Sequence, residues 1–392
     1  MNKKLGMAVA GAVMAFGATA ANAGITIPAG DWTIDIGGNV NAFYSHTKVS
    51  GDLEDELDYY GYDDKIQDIQ TGLLPSAIGI GGKTRQNDLD IAFQFTFFTG
   101  ANSGTQSAAG SNTLNIRQAY MTFGDASWGT VKMGRDLGIF GSDAILSDMT
   151  LLGVGVGHAY NLESSTLGRI GSGYIYADWI GQISYHSPNW NGFSFAVGVR
   201  EPWTNGSSNT GAGGIIRNDM GLEGKASYEW AGDVAGKVWA GFVTQKHSTD
   251  TGSDDSYRSR GWEVGGKVAV SGLNLVGYYY DGKGLDSQST GIGGLQFLSN
   301  EKTDDDGGYI QATYSLPGVG TKLGLSYGVN NSESDMNGEF DIQNKSWVFG
   351  VYHPLTKSLN LVAEYVDQKI EEDESNFDTK FRTISLGAIM FF

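Results

Sequence analysis

Apolar and polar residues alternate along most of this chain, and the alternation runs to its last residue. Ile384, Leu386, Ala388, Met390 and Phe392 are apolar at every second position. A period of two puts one set of side chains on one face of a β-strand. Residues 31–47 repeat the pattern, with Trp32, Ile34, Ile36, Val40, Ala42 and Tyr44 opposing Asp31, Asp35, Asn39 and Asn41. In residues 88–98, Leu89, Ile91, Phe93, Phe95 and Phe97 oppose Asp88, Asp90, Gln94 and Thr96. Residues 261–270 set Trp262, Val264, Val268 and Val270 against Glu263 and Lys267, and residues 321–330 set Leu323, Leu325, Tyr327 and Val329 against Lys322 and Ser326. Sixteen such strands are predicted.

The connections between them alternate in length. Short turns fall at 85–87, 124–127, 187–191, 231–235, 271–272, 317–320 and 353–357, and long polar loops at 48–72, 99–113, 136–172, 201–217, 248–259, 281–307, 331–343 and 369–377. A soluble sandwich does not sort its loops by side in this way, whereas a membrane barrel has short turns on one side and long loops on the other. A bare apolar strand at the carboxyl terminus also fits a barrel, where the last strand pairs with the first and no edge is left. The fold class predicted is all-β: a transmembrane antiparallel up-and-down barrel of sixteen strands. Trp32, Tyr44, Trp262 and Phe392 are candidates for its interfacial girdles.

The amino terminus adds an address. Lys3 and Lys4, an apolar run from Leu5 to Ala20, and Ala21-Asn22-Ala23 have the layout of a cleaved secretory signal over residues 1–23. That leaves one domain, 24–392. No later segment reaches the roughly 18 apolar residues of a membrane helix, so a span must be made of strands. Mean hydropathy is −0.23, as expected when one face of each strand meets water. There are 59 Gly, 6 Pro and no Cys, which removes disulfides, thiolate metal sites and Cys nucleophiles. The formal net charge is −18, and −20 once Lys3 and Lys4 leave with the signal. That charge argues against nucleic acid as a partner.

Arg117-Gln118-Ala119-Tyr120 followed by Trp128-Gly129-Thr130-Val131-Lys132-Met133-Gly134-Arg135 resembles the fourth and fifth strands of Gram-negative general porins, especially the β-proteobacterial type. Gln182-Ile183-Ser184-Tyr185-His186-Ser187-Pro188 before Gly192-Phe193, and Ala363-Glu364-Tyr365 after Leu355-Thr356-Lys357-Ser358, resemble the same family in order. The resemblance implies an outer-membrane homotrimer, each barrel holding its own pore, narrowed by an inward-folded third loop. It implies passive diffusion of small hydrophilic solutes and ions without a cofactor. It also implies that Gly387, Met390 and Phe392 belong to a terminal signal read by the barrel-assembly machinery, with periplasmic chaperones, lipopolysaccharide and outer-membrane lipid as further partners.

The third loop is the longest and carries Asp136, Asp143, Asp148 and Glu163, with an apolar stretch from Ile145 to Val156 able to pack against a wall. Strand parity and the resemblance make Lys83, Arg85, Arg117 and Lys132 candidates for an opposing basic wall, with Arg135 and Arg169 at the loop's two roots. Opposed rows of charge set up a transverse field that orients dipolar solutes. A second role is open for these cations: pairing with loop carboxylates to pin the loop. Either role places them in the lumen. Glu223, Glu229, Glu263 and Glu364 share inward parity with Lys225, Lys237, Lys267 and Lys322.

The acidic excess is in the outer loops: Asp52, Glu54, Asp55, Glu56, Asp58, Asp63, Asp64 and Asp68 in the first, Asp304, Asp305 and Asp306 in the sixth, and Glu371, Glu372, Asp373 and Glu374 in the eighth. These form either a solvated rim, or a funnel for cations, or carboxylates bridged by divalent cations to lipopolysaccharide phosphates. A weak cation preference is expected. The five histidines are scattered, with no metal-ligand spacing and no recognisable triad, so catalysis has no support. A substrate-specific channel, or a barrel acting as adhesin or receptor through its loops, are the alternatives.

Overall fold

The computed structural model describes residues 24–59, 63–102, 114–157, 165–202, 217–248, 256–285, 303–334, 340–373 and 377–392. The signal segment 1–23, Glu163 and Glu374 lie outside them.

In chain order the strands are β1 (Ile25–Ala29), β2 (Trp32–Gly51), β3 (Lys65–Gln70), β4 (Ser76–Gln86), β5 (Leu89–Thr99), β6 (Asn115–Asp125) and β7 (Gly129–Leu137). Next come β8 (Trp179–His186), β9 (Phe193–Arg200), β10 (Arg217–Asn218), β11 (Gly221–Trp230), β12 (Val234–Ser248) and β13 (Ser256–Val270). The chain ends with β14 (Leu273–Lys283), β15 (Asp304–Ser315), β16 (Lys322–Ser334), β17 (Phe340–Pro354), β18 (Leu359–Glu372) and β19 (Phe377–Phe391). Among the described residues two α-helices occur in long connections, α1 (Asp52–Tyr59) and α2 (Ser142–Ser147).

All nineteen segments described belong to one antiparallel sheet. It closes where β19 pairs with β2, from Phe391↔Asn39 to Thr379↔Gly51. Three segments continue a neighbouring stave and do not add one. β3 and β4 both lie along β2, β10 and β11 both lie along β12, and β1 lies along β2 just beyond the end of β19. The wall is therefore a closed barrel of sixteen staves.

The period-two pattern sorts as expected. Val40 and Tyr44 are 53% and 43% exposed, while Asn39 and Asn41 between them are buried at 4%. The same holds at β13, where Trp262 and Val264 face out and Glu263 is buried. Apolar residues cover the outside and polar ones the inside, the reverse of a soluble barrel.

The seven short connections stand where they were predicted, each within a few residues. Asn87 and Asp88 (φ 47° and 62°) and Ser271 and Gly272 (φ 48° and 85°) make two-residue turns with positive φ at both central positions. Such turns match the right-handed twist of a hairpin.

The long side differs. Strands run further out than the acidic loops suggested: Asp304, Asp305 and Asp306 belong to β15, and Glu371 and Glu372 to β18. In the first connection, Asp52 to Tyr59 form α1 and Asp68 is in β3. Charged residues weaken a strand prediction, yet outside the apolar band they are ordinary rim residues of a strand. The unpredicted β1 is too short to show a period, and Pro28 suits its edge position.

Candidate functional site

Between β7 and β8 runs the longest connection that the described residues trace, 138–157 and 165–178. Its Ile145, Met149, Leu151, Val154 and Val156 are buried in one cluster with Phe43, Phe98, Tyr278, Tyr309, Val348 and Val362. The apolar stretch expected to pack against a wall thus meets strands far from β7 and β8 in the sheet.

Polar contacts repeat this step by step. Glu223 on β11 accepts hydrogen bonds from the backbone amides of Ile139 (2.8 Å) and Phe140 (3.2 Å). Glu263 on β13 accepts from the Gly141 amide at 2.9 Å and the Tyr278 hydroxyl at 2.8 Å. On β15, Gln311 accepts from the Met149 amide at 2.8 Å and donates to the Ser147 carbonyl at 2.9 Å. Glu364 on β18 accepts from Val154 (2.8 Å), Gly155 (2.7 Å) and the Tyr352 hydroxyl (2.7 Å). Each of these wall groups supplies an acceptor to amides that no strand or long helix satisfies. Glu223 also stands 3.7 Å from the buried guanidinium of Arg200.

Among the predicted loop acids, Asp143 meets charge. Its carboxylate pairs with Lys225 of β11 at 2.6 Å and with Lys237 of β12. Burial alone would raise its pKa, but the two ammonium groups outweigh that and hold it below the usual carboxylate range. Asp148 instead accepts from the Thr150 amide (2.9 Å), the Thr150 hydroxyl (2.6 Å) and the Tyr174 hydroxyl (2.8 Å), capping the 3₁₀ turn Met149–Leu152. Asp136 is not in the loop. It lies on β7, paired with Lys132 and accepting from Gln118 at 2.9 Å.

The predicted basic residues separate into groups. Lys83 pairs with Asp35 at 3.3 Å, and Arg85 with Asp90 and Asp125, both at 2.9 Å, beside the 87–88 turn. Arg117 occupies a bulge between β5 and β6 and lies over the Phe98 ring at 4.9 Å; Lys132 lies over Tyr120 at the same distance. Arg169 is fully buried and donates to the hydroxyl (3.1 Å) and carbonyl (3.4 Å) of Ser346 on β17, and its burial lowers its pKa.

Arg135 is a correction. It was expected in the lumen, but its register partner Ala119 shares a face with Met121, opposite to Lys132 and Asp136. It is half exposed, donating to the Trp179 carbonyl and standing 3.5 Å from Glu201. At the carboxyl terminus, Met390 is exposed and Phe392 exchanges two backbone hydrogen bonds with Gly38. A Cβ on Gly387 would come within 2.2 Å of the Ala42 carbonyl oxygen.

Sequence reasoning put Glu223, Glu263 and Glu364 on the inner face without finding their use. It missed Gln311, Ser346 and the Tyr hydroxyls. A clue was available: buried tyrosines at inward parity (Tyr278, Tyr309, Tyr352) are out of place in a water-lined wall unless something packs on them. Among the described residues no group of three or more His, Asp or Glu is placed to hold a metal ion.

The profile of a family described as Gram-negative porin matches residues 8–373. The outer membrane channel DcaP of Acinetobacter baumannii superposes with a TM-score of 0.68 at 16% identity, over 95% of this chain and 100% of that one. The anion-selective porin from Comamonas acidovorans gives 0.62 at 16% identity, over 92% and 100%. OmpF of Salmonella typhi, in complex with daunomycin, gives 0.62 at 18% identity, over 94% and 100%. At such identities the likeness is one of fold. No curated protein matches the chain.

Proposed function

Because the chain belongs to the family of Gram-negative porins, we propose that it forms a water-filled channel through the outer membrane for passive diffusion of small hydrophilic solutes and ions. It is a transport protein and not an enzyme. The observation that carries the reading is the attachment of the 138–178 connection to Glu223, Glu263, Gln311, Ser346 and Glu364, on five strands spread around the barrel from β11 to β18. In a closed barrel, a connection that reaches the inner faces of β11 to β18 crosses the lumen and narrows it. We read it as the inward-folded third loop, with Asp143 facing Lys225 and Lys237 as its charged edge.

Around that constriction the proposed basic wall is Arg117 and Lys132, joined by Lys225, Lys237 and Lys267. Lys83 and Arg85, paired near the short turns, belong to the inner mouth. The preference proposed is weakly for cations, supported by a mature charge of −20 and an acidic outer mouth. It stays weak because the lysines of β11 to β13 oppose it inside. A homotrimer, delivery by periplasmic chaperones and the barrel-assembly machinery through the terminal strand, and divalent cations at the acidic rim complete the proposal.

Current through single channels of the mature protein in a planar bilayer, with unequal salt on the two sides, tests this. Conductance steps grouped in threes are expected, with a small reversal potential of the cation-preferring sign. A correctly folded barrel that passes no current overturns the diffusion-channel reading.

A further inference from the structure

One stave of the wall leaves the sheet and returns to it. β3 pairs with β2 as far as Phe43↔Gln70, and β4 takes up the pairing at Asn39↔Ala77. Three residues of β2, 40–42, therefore face six on the neighbouring stave, 71–76. A β-bulge commonly carries one extra residue. An excess of three turns the chain out of the wall, and Asn41 shows to which side. Its side chain lies on the inner face and is 4% exposed. The Asn41 Oδ1 accepts from the Gly72 amide at 3.0 Å, and its Nδ2 donates to the Leu74 carbonyl at 2.8 Å. A second bond from Nδ2, to Asn39 Oδ1 at 2.8 Å, fixes the orientation of the amide. The Asn41 backbone amide donates to the Ser76 hydroxyl at 3.1 Å. One asparagine thus supplies, on the inner face, the donor and the acceptor that the interrupted ladder leaves out.

The in-turned residues 71–75 carry Leu73 and Leu74, both buried in the cluster that holds Val154, Val156 and Leu167 of the 138–178 connection. Two leucines on the inner face of a water-lined wall are costly unless something covers them. Backbone contacts tie that cover down on both legs of the connection. The Leu73 amide donates to the Gly153 carbonyl at 3.1 Å, and the Gly72 carbonyl accepts from the Thr166 amide at 3.3 Å. The legs are themselves paired, the Val156 amide donating to the Gly168 carbonyl at 2.8 Å and the Leu167 amide to the Val156 carbonyl at 2.9 Å. On the other side, Glu364 of β18 holds the Val154 and Gly155 amides. The paired legs are therefore gripped between β18 and the in-turn, with β19 and β2 lying between those two jaws.

We propose that residues 71–75 form a second inward element of the pore, and that Asn41 is the positioning residue that sets it. Through the in-turn, Asn41 determines how wide a passage the 138–178 connection leaves, and so which solutes pass by size. The inference rests on the reading of that connection as the inward loop. Without the Asn41 side chain, Gly72 and Leu74 lose two bonds and the in-turn is free to fall back toward the wall. The contacts to Gly153 and Thr166 go with it, which leaves the legs to Glu364 and to packing.

Asn41→Leu, similar in shape and unable to hydrogen-bond, tests this against Ser45→Ala. Ser45 lies on the same inner face of β2 and bonds the Ser385 hydroxyl at 2.8 Å, so its loss removes a buried wall bond without touching the in-turn. In single-channel records, Asn41→Leu should raise the occupancy of a wide level over the narrow one about thirtyfold. That ratio corresponds to about 2 kcal/mol, for two buried hydrogen bonds. The largest polyethylene glycol that enters the pore should shift upward in size. Leu73→Ala should widen the pore likewise, and the double variant should widen it by less than the two effects together, because both act through one contact. Ser45→Ala should record as wild type. Amide exchange read by mass spectrometry is the second measurement: Asn41→Leu should speed it in residues 153–157 and 166–168, and Ser45→Ala should not. Heat-modifiable migration on a gel shows that each variant is folded, and Asn41→Ala takes the place of the leucine variant if that one does not assemble. A wild-type size cut-off or wild-type exchange in the Asn41 variant, or additive effects with Leu73→Ala, overturns the positioning role. A folded wild-type barrel without conductance would sink the channel reading instead, and exchange would still decide whether Asn41 holds the connection.

Discussion

The early and later halves of the connection between β7 and β8 both hang amides on wall carboxylates, and they differ in what is added to that hold. The first end, residues 139–143, is held by charge: Glu223 and Glu263 accept its amides, and Asp143 pairs with Lys225 and Lys237. The later half, from Gly153 onward, also has two amides on a carboxylate, Glu364, but there close packing adds to the hold. A Cβ at Gly153 would lie 2.0 Å from the Glu364 carboxylate, and one at Gly72 would lie 1.9 Å from the Gly153 carbonyl oxygen. Backbone runs against backbone there: the Leu73 amide donates to the Gly153 carbonyl at 3.1 Å, in the gap where β3 gives way to β4. An end held by charge responds to pH and to the sign of a substitution. One held by packing responds to volume.

The largest effect should come from volume at the packed end. Gly153→Val drives the chain off Glu364, losing two amide bonds to a charged acceptor and overpacking the site, at a cost on the order of 5 kcal/mol. Expected readouts are a larger single-channel conductance and a noisier open state. Quiet, wild-type current would show that packing does not hold this end.

Charge at the first end should matter less to stability and more to selectivity. Asp143→Asn removes the counter-charge of two lysines, at a cost of about 3 kcal/mol for breaking a buried pair. The reversal potential should move toward anions. Acid should act on the same group. Because its folded pKa is depressed, Asp143 contributes fully above the ordinary carboxylate value of about 3.9, and the contribution is lost as pH falls below that, through the folded value. The share of open-channel noise that Asp143 suppresses in wild type should therefore appear only as pH falls below about 4. Asp143→Asn should show that noise already at neutral pH; a wild-type profile would remove Asp143 from the comparison.

The smallest effect belongs to a cation outside both ends. Arg135→Gln breaks a half-exposed pair with Glu201, so the stability loss should stay under about 1 kcal/mol. Reversal potential should not change. A shift in selectivity would return Arg135 to the lumen and contradict the outward face assigned to it.

Much of this molecule was legible in one dimension. Val40, Tyr44, Trp262 and Leu386 against Asn39, Asn41 and Glu263 give the two faces, because side chains of a strand alternate whatever the strand pairs with. Turn residues such as Asn87-Asp88 and Ser271-Gly272 mark the short side, because positive φ is a local property. Count, antiparallel order and closure of the staves follow from those two facts. The N-terminal β1 escaped because five residues are too few to carry a period.

The site was legible only in part, because its chemistry depends on partners distant in sequence. Asp136, Asp143 and Asp148 look alike along the chain, and they end as a strand ion pair, a bridge to two wall lysines and a turn cap. Arg117 and Arg135 differ by the face on which a bulge and a register leave them. Glu223, Glu263 and Glu364 show an inward parity but not that backbone amides of a connection 83 to 210 residues away would occupy them. Alternation is set by neighbours two positions apart and can be read residue by residue. A carboxylate's work is set by whatever donor closure of the barrel brings within 3 Å, and no local pattern records that.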